Sequence, residues 1–249
     1  MTGKVLVVTG GSTGIGAAVA RMAAARGYAV GLSYRSSAAP AAQVVADIRA
    51  GGGRAFAVRA DSASATETAA FFAAVDCELG PVTALVNNAG ITGPACRIEA
   101  LDPAALDEVL ATNVRGCFLA LREAIPRMAT DLGGPGGVVV NVSSRASEIG
   151  GAGEWVHYAA SKGAVDTLTI GAARELAPRG IRVNAVNPGL IDTEIHAKAG
   201  MPDRTERFRA AIPMARAGSA EEVADVILWL MSEQSSYVTG ALVPIGGGR

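Results

Sequence analysis

The 249-residue chain is poor in the side chains that build metal sites and histidine triads. Its three cysteines, Cys77, Cys96 and Cys117, are an odd number without metal-type spacing, and its two histidines are His157 and His196. A zinc site or a histidine-based triad is therefore poorly supplied, and we expect no bound metal. The cysteine pattern favours a reduced, cytoplasmic protein.

The chain also lacks an excess of charge of either sign and long apolar runs. It has 22 Lys plus Arg against 23 Asp plus Glu, so the formal net charge is -1. This balance gives no signal for a nucleic-acid-binding face or an acidic tail. The longest apolar runs are short and rich in alanine, and residues 1–4 lead directly into the apolar run at 5–8. We therefore expect neither a membrane span nor a signal peptide.

Short β-branched runs alternate with alanine-rich helical stretches along the whole chain, with no linker or repeat between them. Several of the strands lack polar alternation, as expected where helices cover both faces of a parallel sheet. The pattern predicts an α/β fold: a single doubly wound Rossmann domain, residues 1–249, with a seven-stranded parallel sheet and helices on both faces. The predicted strands are 4–8, 29–33, 55–59, 84–87, 137–142, 182–186 and 241–244.

The most informative pair of residues is Tyr158 and Lys162, in a stretch predicted to be helical over residues 158–177. A spacing of four places both side chains on one helix face. A free tyrosine titrates near ~10, but a fixed positive charge beside the phenol favours phenolate and lowers its pKa. The pair is thus a candidate general acid/base, the alternative being an ordinary surface pair.

A glycine-rich turn follows the first strand and begins the first helix. Gly10 and Gly14 permit a turn that other residues would strain, and Gly16 allows close packing. The helix N-terminus then offers free N–H groups to a pyrophosphate. The predicted dinucleotide contacts in this segment are Gly10, Ser12, Thr13, Gly14, Ile15 and Gly16.

The end of the second strand bears on the choice of cofactor. NAD-binding versions of this fold usually have a carboxylate here, and this chain has Arg35 and Ser36 instead. A guanidinium group recognises phosphate with paired donors, which favours the 2′-phosphate of NADP, with NAD also possible. The alternative is a solvated arginine. Asp61 and Ser62 follow the third strand and could contact adenine, cap a helix, or do both.

Small and amide residues follow the later strands. Asn88, Ala89 and Gly90 lie at the end of the fourth strand, where the backbone must approach a ligand. Asn113 lies inside a helix predicted over residues 106–125, an unfavourable place for asparagine unless its amide binds something specific. Residues 141–144 end the fifth strand, and residues 187–189 end the sixth.

These residues match, in order and over the whole chain, the motifs of the classical short-chain dehydrogenase/reductase family, which the chain therefore resembles. The motifs are the TGxxxGxG turn at 9–16, NNAG at 87–90, a helical asparagine, a strand-end serine, YxxxK at 158–162 and a PG turn at 188–189. Six motifs at suitable distances are far more specific than any one of them.

The resemblance implies a role for each matching residue. Ser144 would hold the substrate oxygen, Tyr158 would exchange the proton, and Lys162 would bind the nicotinamide ribose and lower the Tyr158 pKa. Asn113 would organise a water in the proton relay. After the PG turn, the Ile191 backbone and the Thr193 hydroxyl would hold the cofactor carboxamide. Pro188 and Gly189 of the turn itself would also contact the cofactor.

Two features depart from the family pattern. Ser144 and Tyr158 are fourteen residues apart, one more than the commonest spacing, so Ser143 is a rival for the serine role. The tail at 243–247 lacks the usual aspartate. We further expect His157 at the rim of the site, Cys96 in the pocket wall and a substrate lid over residues 190–217.

The sequence thus predicts an NAD(P)-dependent oxidoreductase that interconverts a small carbonyl compound and a secondary alcohol. A sugar or polyol dehydrogenase working oxidatively is the alternative enzyme, and a dinucleotide sensor without turnover is the non-catalytic one. Apolar residues cover more of the helices 106–125 and 158–177 than one sheet face can bury. Together with the resemblance, this predicts a homotetramer without nucleic-acid or membrane partners.

Overall fold

The computed structural model describes residues 3–193, 201 and 203–249. A seven-stranded sheet with the order β3-β2-β1-β4-β5-β6-β7 forms its centre, and all neighbouring strands are parallel. The predicted parallel sheet is therefore confirmed. Its strands are β1 Val5–Val8, β2 Ala29–Tyr34, β3 Ala55–Arg59, β4 Ala84–Asn87, β5 Gly137–Val142, β6 Ile181–Pro188 and β7 Leu242–Ile245.

Helices cover both faces of the sheet. They are α1 Gly14–Ala25, α2 Ala38–Ala50, α3 Ala65–Glu78, α4 Pro103–Leu110, α5 Gly116–Met128, α6 Ala146–Ile149, α7 Val156–Leu176, α8 Arg204–Phe208 and α9 Ala220–Leu230. None of these described helices is both long enough and apolar enough to cross a bilayer.

The core consists of two apolar layers, one on each face of the sheet. In β1, Leu6 and Val8 pack with α1, α2 and α9, whereas Val5 and Val7 pack with α3, α5 and α7. Successive side chains of a strand point to opposite faces, so a strand buried on both faces needs an unbroken apolar run. This is why β1 shows no polar alternation.

The main local difference from the sequence prediction lies in the helix expected over residues 106–125. It is divided by a π-helical turn, Ala111–Arg115, which contains Asn113. Smaller differences are the lengths of β6, which continues to Pro188, and of α7, which begins at Val156.

The strand order reverses direction between β1 and β4, which opens a crevice at the carboxyl ends of the strands. The glycine-rich turn follows β1, Asn88 follows β4, and Ser144 follows β5. The sheet therefore brings the sequence motifs to one edge. Of the predicted lid, residues 194–200 and 202 lie outside the described residues.

Candidate functional site

A cavity of about 330 Å³ lies at this edge of the sheet. Most of the predicted site residues line it: Gly10, Ser12, Thr13, Gly14, Ile15, Arg35, Asn88, Ala89, Gly90, Ser144, Tyr158, Lys162, Pro188, Gly189, Ile191 and Thr193. Five predicted residues are not part of its lining: Gly16, Ser36, Asp61, Ser62 and Asn113.

The glycine-rich turn is shaped by close backbone contacts. Gly10 has φ +63°, and a Cβ there would lie 2.9 Å from the Cα of Ala89. A Cβ on Gly16 would lie 2.5 Å from both Asn88 Nδ2 and Gly10 O, so Gly16 packs against the turn itself. Thr13 is the N-cap of α1 but makes no side-chain cap. The N–H groups of the first turn, where Gly14 and Ile15 line the cavity, are therefore not occupied by the Thr13 side chain.

Asn88 joins this turn to the end of β4. Its Nδ2 donates to Gly10 O at 2.8 Å and to Thr9 O at 3.1 Å. Thr9 Oγ1 in turn accepts from the backbone N–H groups of Asn88 and Ala89 at 3.0 and 3.1 Å. These bonds fix the separation of two loops that both line the cavity.

Tyr158 and Lys162 stand one turn apart on α7, as the spacing predicted. The Lys162 Nζ lies 5.7 Å from the centre of the Tyr158 ring and donates to Val142 O at 2.7 Å. The lysine is 4% exposed, so its ammonium is close to the phenol in a site with little water.

Asn113 lies outside the cavity lining and connects Ile91, after β4, to Ser161 of α7. Its Oδ1 accepts from Ile91 N at 2.8 Å, and its Nδ2 donates to Ile91 O at 2.8 Å and to Ser161 Oγ at 2.9 Å. With all three side-chain hydrogen bonds made, the amide has little capacity left for a water.

The main-chain oxygen of Asn113 accepts from the Cys117 thiol at 3.2 Å. Burial raises the pKa of that thiol to about 11, so it stays protonated at neutral pH.

The two candidate serines differ in environment. Ser143 is 2% exposed, and its Oγ donates to Lys162 O at 3.1 Å. Ser144 is less buried, and its Oγ accepts from Ala146 N at 3.1 Å and lies 3.5 Å from Pro188 O. The Ser144 hydroxyl hydrogen is thus only weakly engaged, and this residue is the better placed of the two to donate to a substrate oxygen.

At the other end of the cavity, Arg35 lines the wall and forms an ion pair with Glu108 of α4, with Nη1 and Oε1 2.8 Å apart. Asp61 makes a local turn instead of capping a helix: its Oδ1 accepts from Ala63 N at 2.9 Å. The N-cap of α3 is Ser64. Asp61 therefore does not cap α3.

The PG turn is held by the last strand. Gly189 N donates to Ile245 O at 2.8 Å, and a Cβ on Gly189 would lie 2.8 Å from the Cα of Gly246. Thr193 reaches the glycine-rich turn, since its Cγ2 is 3.4 Å from the Cβ position of Gly14. The altered tail thus still positions the segment predicted to hold the carboxamide.

Two expectations about the substrate end are wrong. His157 is not at the rim: it is 5% exposed, and its Nε2 is buried without a hydrogen-bond partner among the described residues. Cys96 does not line the cavity. Sequence reasoning also missed Arg145 and Arg249, which do. No motif marks either arginine, and contacts between distant segments place them there.

Trp155 also lines the cavity. It is 4% exposed, and its Nε1 donates to Gly93 O at 3.1 Å. This bond ties the indole to the loop that follows β4.

Comparison with known proteins identifies the family. A family model described as enoyl-(acyl carrier protein) reductase matches residues 1–249. The chain is 49% identical over 245 residues to the uncharacterized oxidoreductase YgfF of Escherichia coli, covering 98% of this chain and 99% of that one. It is 37% identical to the 3-oxoacyl-[acyl-carrier-protein] reductase FabG of Staphylococcus aureus, covering 98% and 97%.

Solved structures agree with these relatives. A dehydrogenase/reductase from Sinorhizobium meliloti is 38% identical with a TM-score of 0.91, covering 100% of this chain and 95% of that one. A short-chain dehydrogenase from Burkholderia cenocepacia in complex with NADP is 35% identical with a TM-score of 0.91, covering 99% and 98%. The chain therefore belongs to the short-chain dehydrogenase/reductase family of NAD(P)-dependent oxidoreductases.

Proposed function

We propose that this chain interconverts a carbonyl compound and a secondary alcohol, with Tyr158 as general acid and base and NADP(H) as the preferred cofactor. One observation carries the proposal. Tyr158, the buried ammonium of Lys162 and the hydroxyl of Ser144 line the same cavity as the glycine-rich turn. A proton donor, its activating charge and an oxygen ligand thus share one site with a dinucleotide-type turn.

The residues divide the reaction between them. A nicotinamide cofactor, when bound, would supply or accept the hydride. In the reductive direction Tyr158 donates its phenolic proton to the substrate oxygen, and in the oxidative direction it takes that proton back. Ser144 donates a hydrogen bond to the same oxygen and stabilises the negative charge that develops on it. Lys162 places its ammonium 5.7 Å from the centre of the tyrosine ring.

The cavity also has the groups that a dinucleotide needs. The N–H groups at the start of α1 suit the pyrophosphate, and the ammonium of Lys162 suits the nicotinamide ribose. Arg35 suits a 2′-phosphate, which supports NADP over NAD. The complex of the Burkholderia cenocepacia relative with NADP supports the same preference. Use of NAD as well is compatible with a single arginine at this end.

The direction and setting of the reaction are part of the proposal. The name of the Staphylococcus aureus relative, a 3-oxoacyl-[acyl-carrier-protein] reductase, supports ketone reduction as the physiological direction. We place the activity in a single domain of residues 1–249 and in the cytoplasm. Three unpaired cysteines, Cys77, Cys96 and Cys117, fit a reduced compartment.

The test is Tyr158→Phe, assayed on a panel of ketones, aldehydes, sugars and polyols with both cofactors. Loss of the hydroxyl should lower kcat by roughly 10²–10⁴-fold while leaving NADPH binding almost intact. Lys162→Ala should damage both, because the lysine serves the tyrosine and the ribose. Tyr237→Phe, at a fully exposed tyrosine, is the matched control and should leave both unchanged. A Tyr158→Phe enzyme that keeps more than about a tenth of the wild-type rate contradicts this role.

A further inference from the structure

The charged side chains that line the cavity are all cationic among the described residues: Arg35, Arg145, Lys162 and Arg249. In the proposed function, on which this inference rests, Arg35 meets the cofactor phosphate and Lys162 serves the tyrosine and the ribose. Arg145 and Arg249 are left without a role. A low-dielectric cleft lined by charges of one sign concentrates ligands of the opposite sign.

Both arginines belong to the substrate end of the cavity. Arg145 directly follows Ser144, and its backbone N–H donates to Pro188 O at 2.9 Å. Its Nε donates to the main-chain oxygen of Arg249 at 2.9 Å. Arg249 is therefore hydrogen-bonded to Arg145, the neighbour of Ser144. It follows β7, an edge strand, whereas Arg35 follows β2, next to the other edge of the sheet.

The two arginines differ in their partners. Arg145 is paired with Glu148, with Nη1 and Oε1 2.6 Å apart, so its charge is already balanced. The Arg249 guanidinium lies over the ring of Phe208, 5.2 Å from its centre, and forms no ion pair with an acidic residue of the described chain. Phe208 belongs to the predicted lid, so Arg249 both lines the cavity and contacts that segment.

We propose that Arg249 binds an anionic group of the substrate, so that the natural substrate is an oxo acid whose carboxylate is held by this guanidinium. The planar guanidinium presents paired donors that match a carboxylate. The Phe208 ring limits the directions in which those donors can point. The apolar wall residues Ile149 and Trp155 suit the carbon chain that joins the carbonyl to the carboxylate.

The experiment compares 2-, 3- and 4-oxo acids with their methyl esters: pyruvate, acetoacetate and levulinate, each against its ester, with NADPH. For at least one pair, wild type should have the higher kcat/KM for the acid. Arg249→Gln should lower the acid-to-ester ratio of that pair by roughly 10- to 100-fold, the value of one charge-assisted contact. Arg249→Lys should retain part of the preference. The Kd for NADPH, read from its fluorescence, should stay unchanged and also shows that each variant is folded.

Arg26→Gln is the matched control, because it removes one arginine charge outside the cavity lining. Equal ratios in wild type and Arg249→Gln overturn the proposal, as does a wild type that prefers every ester. A second readout separates it from the proposed function: titration of the same acids and esters into the enzyme–NADP⁺ complex, followed by tryptophan fluorescence. If no ketone is reduced, the proposed function fails. Acid-selective binding that is lost in Arg249→Gln still supports the anion site, and its absence overturns it.

Discussion

At the scale of single residues, the pairing of Arg35 with Glu108 determines what this end of the cavity can recognise. The two side chains are 49% and 54% exposed, and an ion pair so exposed contributes little to folding. Its effect on an incoming ligand is larger, because Glu108 places a negative charge beside the group that would bind a 2′-phosphate. The same carboxylate could accept hydrogen bonds from the ribose hydroxyls of NAD(H).

Two substitutions with opposite expected effects test this arrangement. Arg35→Ala should weaken NADPH more than NADH, by roughly one to two decades in Kd, since only NADPH loses a charge-assisted phosphate contact. Glu108→Gln should shift the NADPH-to-NADH affinity ratio the other way, because it removes the competing charge and keeps the side-chain shape. Fluorescence titrations with both cofactors measure the ratios. An unchanged ratio in Arg35→Ala would show that this arginine is merely solvated.

At the scale of the secondary-structure element, the end of β5 shows how one strand assigns different tasks to adjacent serines. Both serines line the cavity, but the Ser143 hydroxyl is bound to α7, where it donates to Lys162 O. Ser144 is the second residue after the strand, and its hydroxyl hydrogen is only weakly engaged, 3.5 Å from Pro188 O. The two hydroxyls therefore have different partners, and that of Ser144 is the freer to donate to a ligand.

These serines therefore form a matched pair of variants. Ser144→Ala should lower kcat/KM by roughly 10²–10³-fold, the usual cost of losing one donor to a developing oxyanion. Ser143→Ala should lower the free energy of unfolding by about 1 kcal/mol through its lost buried hydrogen bond, with a smaller effect on kcat/KM. Steady-state kinetics and urea unfolding measure the two effects. The reverse ranking in kcat/KM would assign the substrate oxygen to Ser143.

The elements also show which features the sequence can predict. All seven strands were predicted within a few residues, because strands buried on both faces need apolar runs that stand out from the alanine-rich helices. The motif residues of the site follow strand ends, and a parallel sheet brings those ends to one edge.

The features that sequence analysis missed depend on contacts between distant segments. The π-helical turn is held open by Asn113, whose side chain bonds to the backbone of Ile91. The spacing of apolar residues does not reveal such a turn, because the residues on both sides of it remain helical. Likewise Glu108 meets Arg35 across 73 residues, and Arg249 meets Arg145 across 104. None of these partners has a local signature.

At the scale of the whole molecule, the middle helices leave apolar side chains and glycine positions on the surface of the single chain. Phe118 on α5 is 52% exposed and Leu110 at the end of α4 is 38% exposed. On α7, Gly163 and Gly171 have open space where a Cβ would lie. Glycine inside a helix costs about 0.5–1 kcal/mol relative to alanine, and nothing within the described chain offsets that cost at these positions. A closely packed neighbouring helix would offset it.

We therefore expect a homotetramer in which these helices meet those of other copies. Light scattering at micromolar concentration should give a mass of about 100 kDa, four times the 25.1 kDa of one chain. Phe118→Glu should lower that mass to a dimer or monomer, since it places a charge where apolar surface would be buried. Ile98→Glu, at an even more exposed apolar residue outside both helices, is the control and should leave the tetramer intact. A wild-type monomer at this concentration removes the expectation. In that case Phe118→Glu could change only the stability of the single chain, and no neighbouring helix would offset the cost of the two glycines in α7.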